Sequence, residues 1–260
     1  MGRTILIIIL NIFAFQLMGQ IRVSKLVLKP KEVYDLGQSD ILVADTLIMM
    51  DSSRLILNHL KQDNFIRTQV AIFGNACIID GAGINGKPGR KGRDGETPIG
   101  PCKNGTNGRA GSRGLDGVHA VNLYLYFNKL TIKGKIFINL TGGHGGNGGG
   151  GGHGGGGSPG TVHCNGGNGG NGADGALGGN GGDGGTLTLN CITCPAVDGL
   201  IGTKIQLSNG GGTFGFGGIS GYDGPPGLGP SRRNGVSGIR GFDGANGKSG
   251  NKGGLKFEKN

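Results

Sequence analysis

From Ile21 to Asp80 the chain alternates short apolar stretches with polar turns. The stretches are Lys25-Leu-Val-Leu, Ile41-Leu-Val-Ala, Thr46-Leu-Ile-Met-Met, Arg54-Leu-Ile-Leu and Val70-Ala-Ile-Phe, broken by Gly37-Gln-Ser-Asp40 and Asp51-Ser-Ser53. Runs of this length between turn formers predict strands. A helix across residues 40–62 is the competing reading, since Leu, Met and Ala are good helix formers. The β reading gives residues 21–82 the part of a β-rich cap or base that supplies an apolar core.

Beyond residue 82 the period changes to three. Glycine occupies every third position in six runs, 83–95, 105–117, 142–160, 166–184, 212–227 and 235–253; Gly83, Gly142, Gly166, Gly212 and Gly235 open five of them. Short loops, 96–104, 161–165 and 228–234, join the runs into three hairpins, 83–117, 142–184 and 212–253. Strand-like segments lead in (73–80, 132–139, 202–209) and out (118–127, 185–191, 254–259). The result is a threefold strand-hairpin-strand repeat over 83–260, aligned on Asp80, Asn139 and Asn209, as expected of a solenoid. A strict period of three is that of the polyproline II helix, which has no internal hydrogen bonds and must pair with neighbours.

Collagen needs long, proline-rich runs, whereas these are short and poor in proline. The reading is therefore all-β/polyproline II: a β-solenoid-like base with three hairpins, hence six antiparallel polyglycine II helices packed as a single-chain bundle. A collagen-like trimer is the architectural alternative. The central runs are Gly-Gly-X, which suits a middle position, while the outer ones carry Lys87, Arg90, Lys91, Arg93, Arg109, Arg113, Arg240, Lys248 and Lys252 in their free positions.

The glycine columns and hairpin layout of 83–253 resemble secreted polyglycine II proteins, the glycine-rich tip adhesins of some phage tail fibres and the springtail antifreeze proteins. The resemblance to the adhesins implies receptor recognition by the loops at one end. The basic free positions speak against an ice-binding face.

Composition agrees with this reading. Glycine accounts for 63 of 260 residues, about a quarter against roughly 7% in ordinary proteins, which argues against a conventional globular enzyme. Residues 1–20, with Arg3, the apolar 5–10 and 12–15 and a small-residue end, read as a secretory signal peptide. No later segment is apolar enough to cross a membrane, so the mature protein is expected not to span one. The Gly19-Gln20 end of the signal and Asp45-Thr46-Leu47 are similar to export and O-glycosylation sequences of one group of Gram-negative bacteria. The expected location is the cell surface, outer membrane or medium of such a host. Without Arg3 there are 25 basic and 16 acidic residues, net +9, which suits anionic glycans, lipopolysaccharide or plain solubility.

If the hairpins stack, their loops meet along one edge, bringing together Lys103, His163, Arg232 and Arg233 as candidate binding residues. Cys102 and Cys164 meet there as well and are disulfide candidates in an oxidising compartment. Cys191 and Cys194 form a Cys-x-x-Cys, read as a local disulfide or as pairing with Cys77, because no thioredoxin-like context surrounds it. His144 and His153 lie too far apart along an extended chain to share a metal. Two nonapeptides, 169–177 and 178–186, are similar to calcium-binding toxin repeats but lack their large apolar residue. No metal, no cofactor and no catalytic arrangement is therefore assigned. The expected role is an exported, non-enzymatic structural or protein-interaction component at a bacterial cell surface, with an envelope protein as partner and no nucleic acid. The alternative is an adhesin that binds anionic glycan or lipopolysaccharide through the basic loops.

Overall fold

The structure, a computed structural model, describes residues 19–194 and 197–258, so the signal-sequence reading lies outside it apart from Gly19 and Gln20. Eleven strands form: β1 (Gln20–Leu28), β2 (Val33–Asp35), β3 (Ile41–Met49), β4 (Arg54–Ile56), β5 (Asp63–Phe73), β6 (Cys77–Asp80), β7 (Asn122–Ile132), β8 (Ile136–Asn139), β9 (Leu187–Cys191), β10 (Ile205–Ser208) and β11 (Leu255–Phe257). The odd strands make one sheet in the order β1-β3-β5-β7-β9-β11 and the even strands a second, β10-β8-β6-β4-β2. Every pairing is parallel. The chain is thus laid coil upon coil, and β3 and β4 occupy the segment for which a helix competed.

The core lies between the sheets. Leu42, Leu47 and Met49 of β3, Ile66 and Phe73 of β5, and Leu123, Leu125 and Phe127 of β7 are buried together with Leu55, Cys77, Ile79, Ile136, Ile138 and Ile205 of the even strands. Apolar alternation fixes the register, because a slip of one residue would turn these side chains outward. That register pairs Asp80 with Asn139 and Asn139 with Ser208, so the third repeat is displaced by one residue from the sequence alignment on Asn209. Strands from both sides of residue 82 share the two sheets.

The coils differ at one corner, where the chain leaves an even strand for the next odd one. In the first two coils this corner is short, residues 36–40 and 57–62. In the second it is held by buried Asn58 and Asn64: the Asn58 N–H donates to Asn64 Oδ1 (2.8 Å) and Asn64 Nδ2 to the Asn58 carbonyl (3.0 Å). In the next three coils the corner expands into glycine-rich excursions at 81–121, 140–186 and 209–254, which are not assigned to helix or strand apart from a single bridge and a short 3-10 turn in the loops. Successive excursions are joined in parallel like the strands beneath them: Gly86, Gly89 and Gly92 donate to the carbonyls of His144, Asn147 and Gly150 at 2.7–2.8 Å, and Gly142, Gly145 and Gly148 to those of Gly210, Thr213 and Phe216 at 2.8–2.9 Å.

These observations correct the expected architecture. A single-chain bundle of six antiparallel polyglycine II helices is not what organises the molecule; the regular structure is two all-parallel sheets, and the likeness to phage tail-tip adhesins and springtail antifreeze proteins is withdrawn with it. The physical reason is the coil. The strands before and after an excursion belong to different sheets, so each pairs with its equivalent in the next coil instead of with its partner in the hairpin. The glycine period reported the close approach of excursion backbones correctly, but it carried no information about strand direction.

Side chains extend the parallel stacking. The side-chain acceptors of Asn104, Asn107, Asp116 and His119 take the backbone N–H groups of Asn168, Asn171, Asn180 and Asp183 in the second excursion. Asn168, Asn171, Asp174 and Asn180 in turn take those of Val236, Ile239, Phe242 and Lys248 in the third. On the other limbs Asn85 serves His144, while His144, Asn147 and His153 serve Thr213, Phe216 and Tyr222. The ladder ends where these positions become Phe216, Tyr222, Val236, Ile239 and Phe242, all exposed.

A β-carbon on Gly149 would lie well inside van der Waals contact with the Arg90 backbone, whereas one on Gly210 would meet nothing within 4 Å. Gly149→Ala is expected to remove about 2 kcal/mol or more by overpacking, with a fall in Tm of roughly 5 °C or more for a chain of this size. Gly210→Ala should leave Tm within about 2 °C of the parent. Thermal melts followed by circular dichroism compare the two.

Candidate functional site at the loop edge

The three loops come together at the outer end of the excursions. Cys102 is disulfide-bonded to Cys164 with a Cα–Cα separation of 6.0 Å, which joins the first loop to the second. The Cys102 N–H also donates to the Pro159 carbonyl (2.8 Å) and Ser158 Oγ to that of Pro98 (2.6 Å). The second loop meets the third where Gly160 donates to Leu228 (2.8 Å) and the Arg233 guanidinium reaches the Val162 carbonyl (3.4 Å). Lys103, His163, Arg232 and Arg233 are all exposed at this edge, alongside exposed Ile99, Val162 and Leu228. Lys103 accepts the Ser158 N–H at its carbonyl (2.9 Å), and the His163 N–H donates to Thr161 Oγ1 (3.2 Å), so both side chains remain available to solvent.

Cys102, Ser231 and Arg232 have φ of 63°, 53° and 65°. A left-handed conformation costs a residue with a β-carbon about 1–2 kcal/mol and persists only where surrounding structure enforces it. Here the enforcing structure is the cross-link and the loop-to-loop hydrogen bonds. The five glycines singled out in the sequence are backbone contacts: β-carbons on Gly83, Gly142, Gly166, Gly212 and Gly235 would collide with the carbonyls of Val118, Gly182, Gly227, Gly143 and Gly167.

Cys191 and Cys194 are bonded to each other, with Cα atoms 5.5 Å apart. Cys77 is free and buried; burial pushes its thiol above the ordinary range, with the Ser53 hydroxyl acting in the opposite sense. It therefore has the character of a core residue. His144 and His153, weighed as ligands in the sequence, instead accept backbone N–H groups at Nδ1, and His153 stacks on Tyr222 at 5.2 Å. Among the described residues no group of three or more His, Cys, Asp or Glu is placed to hold a metal ion. Among the described residues no helix is long and apolar enough to cross a membrane.

Sequence reasoning missed two surfaces. The first is a groove of about 930 Å³ over the outer face of the odd-strand sheet, lined by Arg22, Phe65, Arg67, Tyr126, Asn190 and Glu258 among others. It forms because equivalent positions on neighbouring strands align, stacking Phe65 on Tyr124 with ring centroids 4.6 Å apart. Burial and the nearby Glu258 carboxylate raise the Tyr126 phenol. The second is the side-chain ladder, whose signal was legible as Asn or Asp at every third residue from Asn168 to Asp183 except Leu177. In that setting Asp94 lies below the usual carboxylate range because Lys91 and the His153 N–H donate to it, and Asp243 does so because the Ser220 N–H and hydroxyl donate to it.

In oxidised protein, maleimide labelling is expected to find no reactive thiol in the folded state and one, Cys77, after unfolding. Its raised pKa adds stability that is fully present below about pH 8.5, the unfolded thiol value, and is lost as pH rises through the folded one. Replacing Cys102 and Cys164 together by Ser should lower stability by about 3–4 kcal/mol, since their bond closes a long loop. Denaturant melts with and without a reducing agent measure that difference. Neither a family model, nor a curated protein, nor a solved structure matches the chain, so nothing among known proteins sustains the likeness to tail adhesins or antifreeze proteins, and the functional reading rests on the chain's own residues.

Proposed function

We propose that this protein is an exported, non-enzymatic structural and protein-interaction component of a Gram-negative cell surface, serving as an accessory subunit of an outer-membrane complex. The observation that supports it most is the cross-linked loop edge, held off the β core by excursions that extend about 40–60 Å at the rise of extended chain. Such a construction converts backbone into rigid reach. Two disulfides fit an oxidising, extracytoplasmic setting, in line with the leader read in residues 1–20. In this reading the sheets dock to the envelope partner and the loop edge is displayed.

A second reading, an adhesin for anionic glycan or lipopolysaccharide, draws on Lys103, Arg232 and Arg233, which the stacked loops gather on one edge with exposed Ile99 and Val162. The two readings differ in their response to salt, because charge-driven capture of a polyanion is screened at high ionic strength while apolar docking is not. A tagged copy purified from the native envelope in mild detergent should bring a stoichiometric membrane protein with it at both low and high salt. Recovery of the chain alone at both ionic strengths would sink the subunit reading. A glycan released by salt would establish the adhesin.

A further inference from the structure

The first excursion ends the glycine-rich stack on one side. Its two limbs face each other through hydrogen bonds from Leu115, Ser112, Arg109 and Thr106 to the carbonyls of Lys87, Arg90, Arg93 and Glu96, at 2.8–3.0 Å. These residues belong to two columns that alternate with the glycines. One carries Ile84, Lys87, Arg90, Arg93, Glu96 and Ile99, the other Lys103, Thr106, Arg109, Ser112, Leu115 and Val118. All are exposed; the Ser112 and Thr106 hydroxyls also accept the Arg90 and Glu96 N–H groups across the same edge, while the column glycines Gly86, Gly89, Gly92 and Gly95 donate to the second excursion on the opposite side. The edge therefore presents five cations, Lys87, Arg90, Arg93, Lys103 and Arg109, with a single carboxylate, Glu96.

Neighbouring cations are treated differently. Lys91 pairs with Asp94 (2.9 Å) and Arg113 with Asp116 (2.8 Å) on the broad faces of the stack. Among the described residues no ion pair is formed by the five edge cations. Arg93 and Arg109 also sit directly opposite each other across a backbone hydrogen bond of 2.8 Å, a placement of like charges that is unfavourable unless an anion lies between them. A guanidinium pair suits a carboxylate, which either can hold in two-pronged fashion.

Spacing narrows the anion. Along the first column Lys87, Arg90 and Arg93 recur every third residue, close to 9–10 Å of extended chain, and in the second Lys103 and Arg109 lie six residues apart, about twice that. Nucleic acids are far denser, with one charge per roughly 3.4 Å along each strand, and neither column contains an aromatic residue on which a base could stack. A linear polysaccharide with one carboxylate per disaccharide has sparse charge of the right order and a long, narrow shape that fits two parallel columns. We propose that this edge binds a linear acidic polysaccharide, with Arg93 and Arg109 clamping one carboxylate and Lys87, Arg90 and Lys103 holding its neighbours. The proposal deepens the glycan reading above but moves the site from the loop edge to the flank of the first excursion, and it does not depend on which envelope partner the protein has.

The test uses the purified chain with hyaluronan, one carboxylate per disaccharide, as probe, and dextran and duplex DNA as comparators, in titrations from 50 to 200 mM salt. Hyaluronan should bind and dextran should not. Arg93→Gln with Arg109→Gln is expected to weaken hyaluronan about tenfold at low salt and flatten its salt dependence by about two contacts. Arg93→Lys with Arg109→Lys should retain most of the binding, and an unchanged melt would show that both variants are folded. Arg232→Gln with Arg233→Gln should bind as the parent does. Absence of hyaluronan binding at 50 mM salt, tighter binding of DNA than of hyaluronan, or weakening by the loop variant instead of the flank variant would each overturn the proposal. The envelope purification above is read separately, so failure of one reading leaves the other standing.

Discussion

In the excursions, every third backbone N–H is donated to a carbonyl on a separate turn of chain, at distances such as 2.8 Å for Gly89 to Asn147 and 2.9 Å for Gly142 to Gly210. At that approach there is no space for a β-carbon, and the glycine content follows from it. An extended limb cannot satisfy its own polar backbone, so its stability is borrowed from neighbours. Those neighbours are in place only because the coils beneath are stacked at fixed spacing by β-pairing. The apolar strands and the nearly side-chain-free excursions are therefore two halves of one solution: the sheets supply the hydrophobic driving force, and the excursions use the alignment that the sheets impose.

Much of this could be read from sequence, though not all. The strands were visible because the stretches around Leu42, Ala71, Leu125 and Leu189 are apolar and bounded by turn formers. The excursions were visible because their backbone contact admits no substitute for glycine. Strand direction was hidden: an apolar stretch looks the same in either sense, and what made the sheets parallel is the position of each strand within a coil. The shift from Asn209 to Ser208 had a similar origin, since polar residues mark the end of a strand loosely while buried Ile138 and Ile205 fix its register.

Surfaces were harder still. The loop residues could be named because short loops between paired runs must lie at one end. The groove lined by Arg22, Phe65, Tyr126 and Glu258 could not, because it draws on strands more than 200 residues apart in sequence whose alignment is a product of the fold. The histidines are a related case. Their spacing was enough to rule out a shared metal, but only the neighbour in the next excursion shows that His144 and His153 act as acceptors for Thr213 and Tyr222.

The side-chain ladder has an implication for how such a molecule could change size. Its middle excursion both receives and offers acceptors, whereas the last one receives them and then presents Phe216, Val236, Ile239 and Phe242 in their place. A duplication of the middle unit would therefore yield a chain in which each copy still found a matching neighbour above and below. A duplication of the last unit would set aliphatic and aromatic side chains against bare N–H groups. The number of storeys is thus written into the residues of the final one, and lineages of this architecture would be expected to lengthen from within.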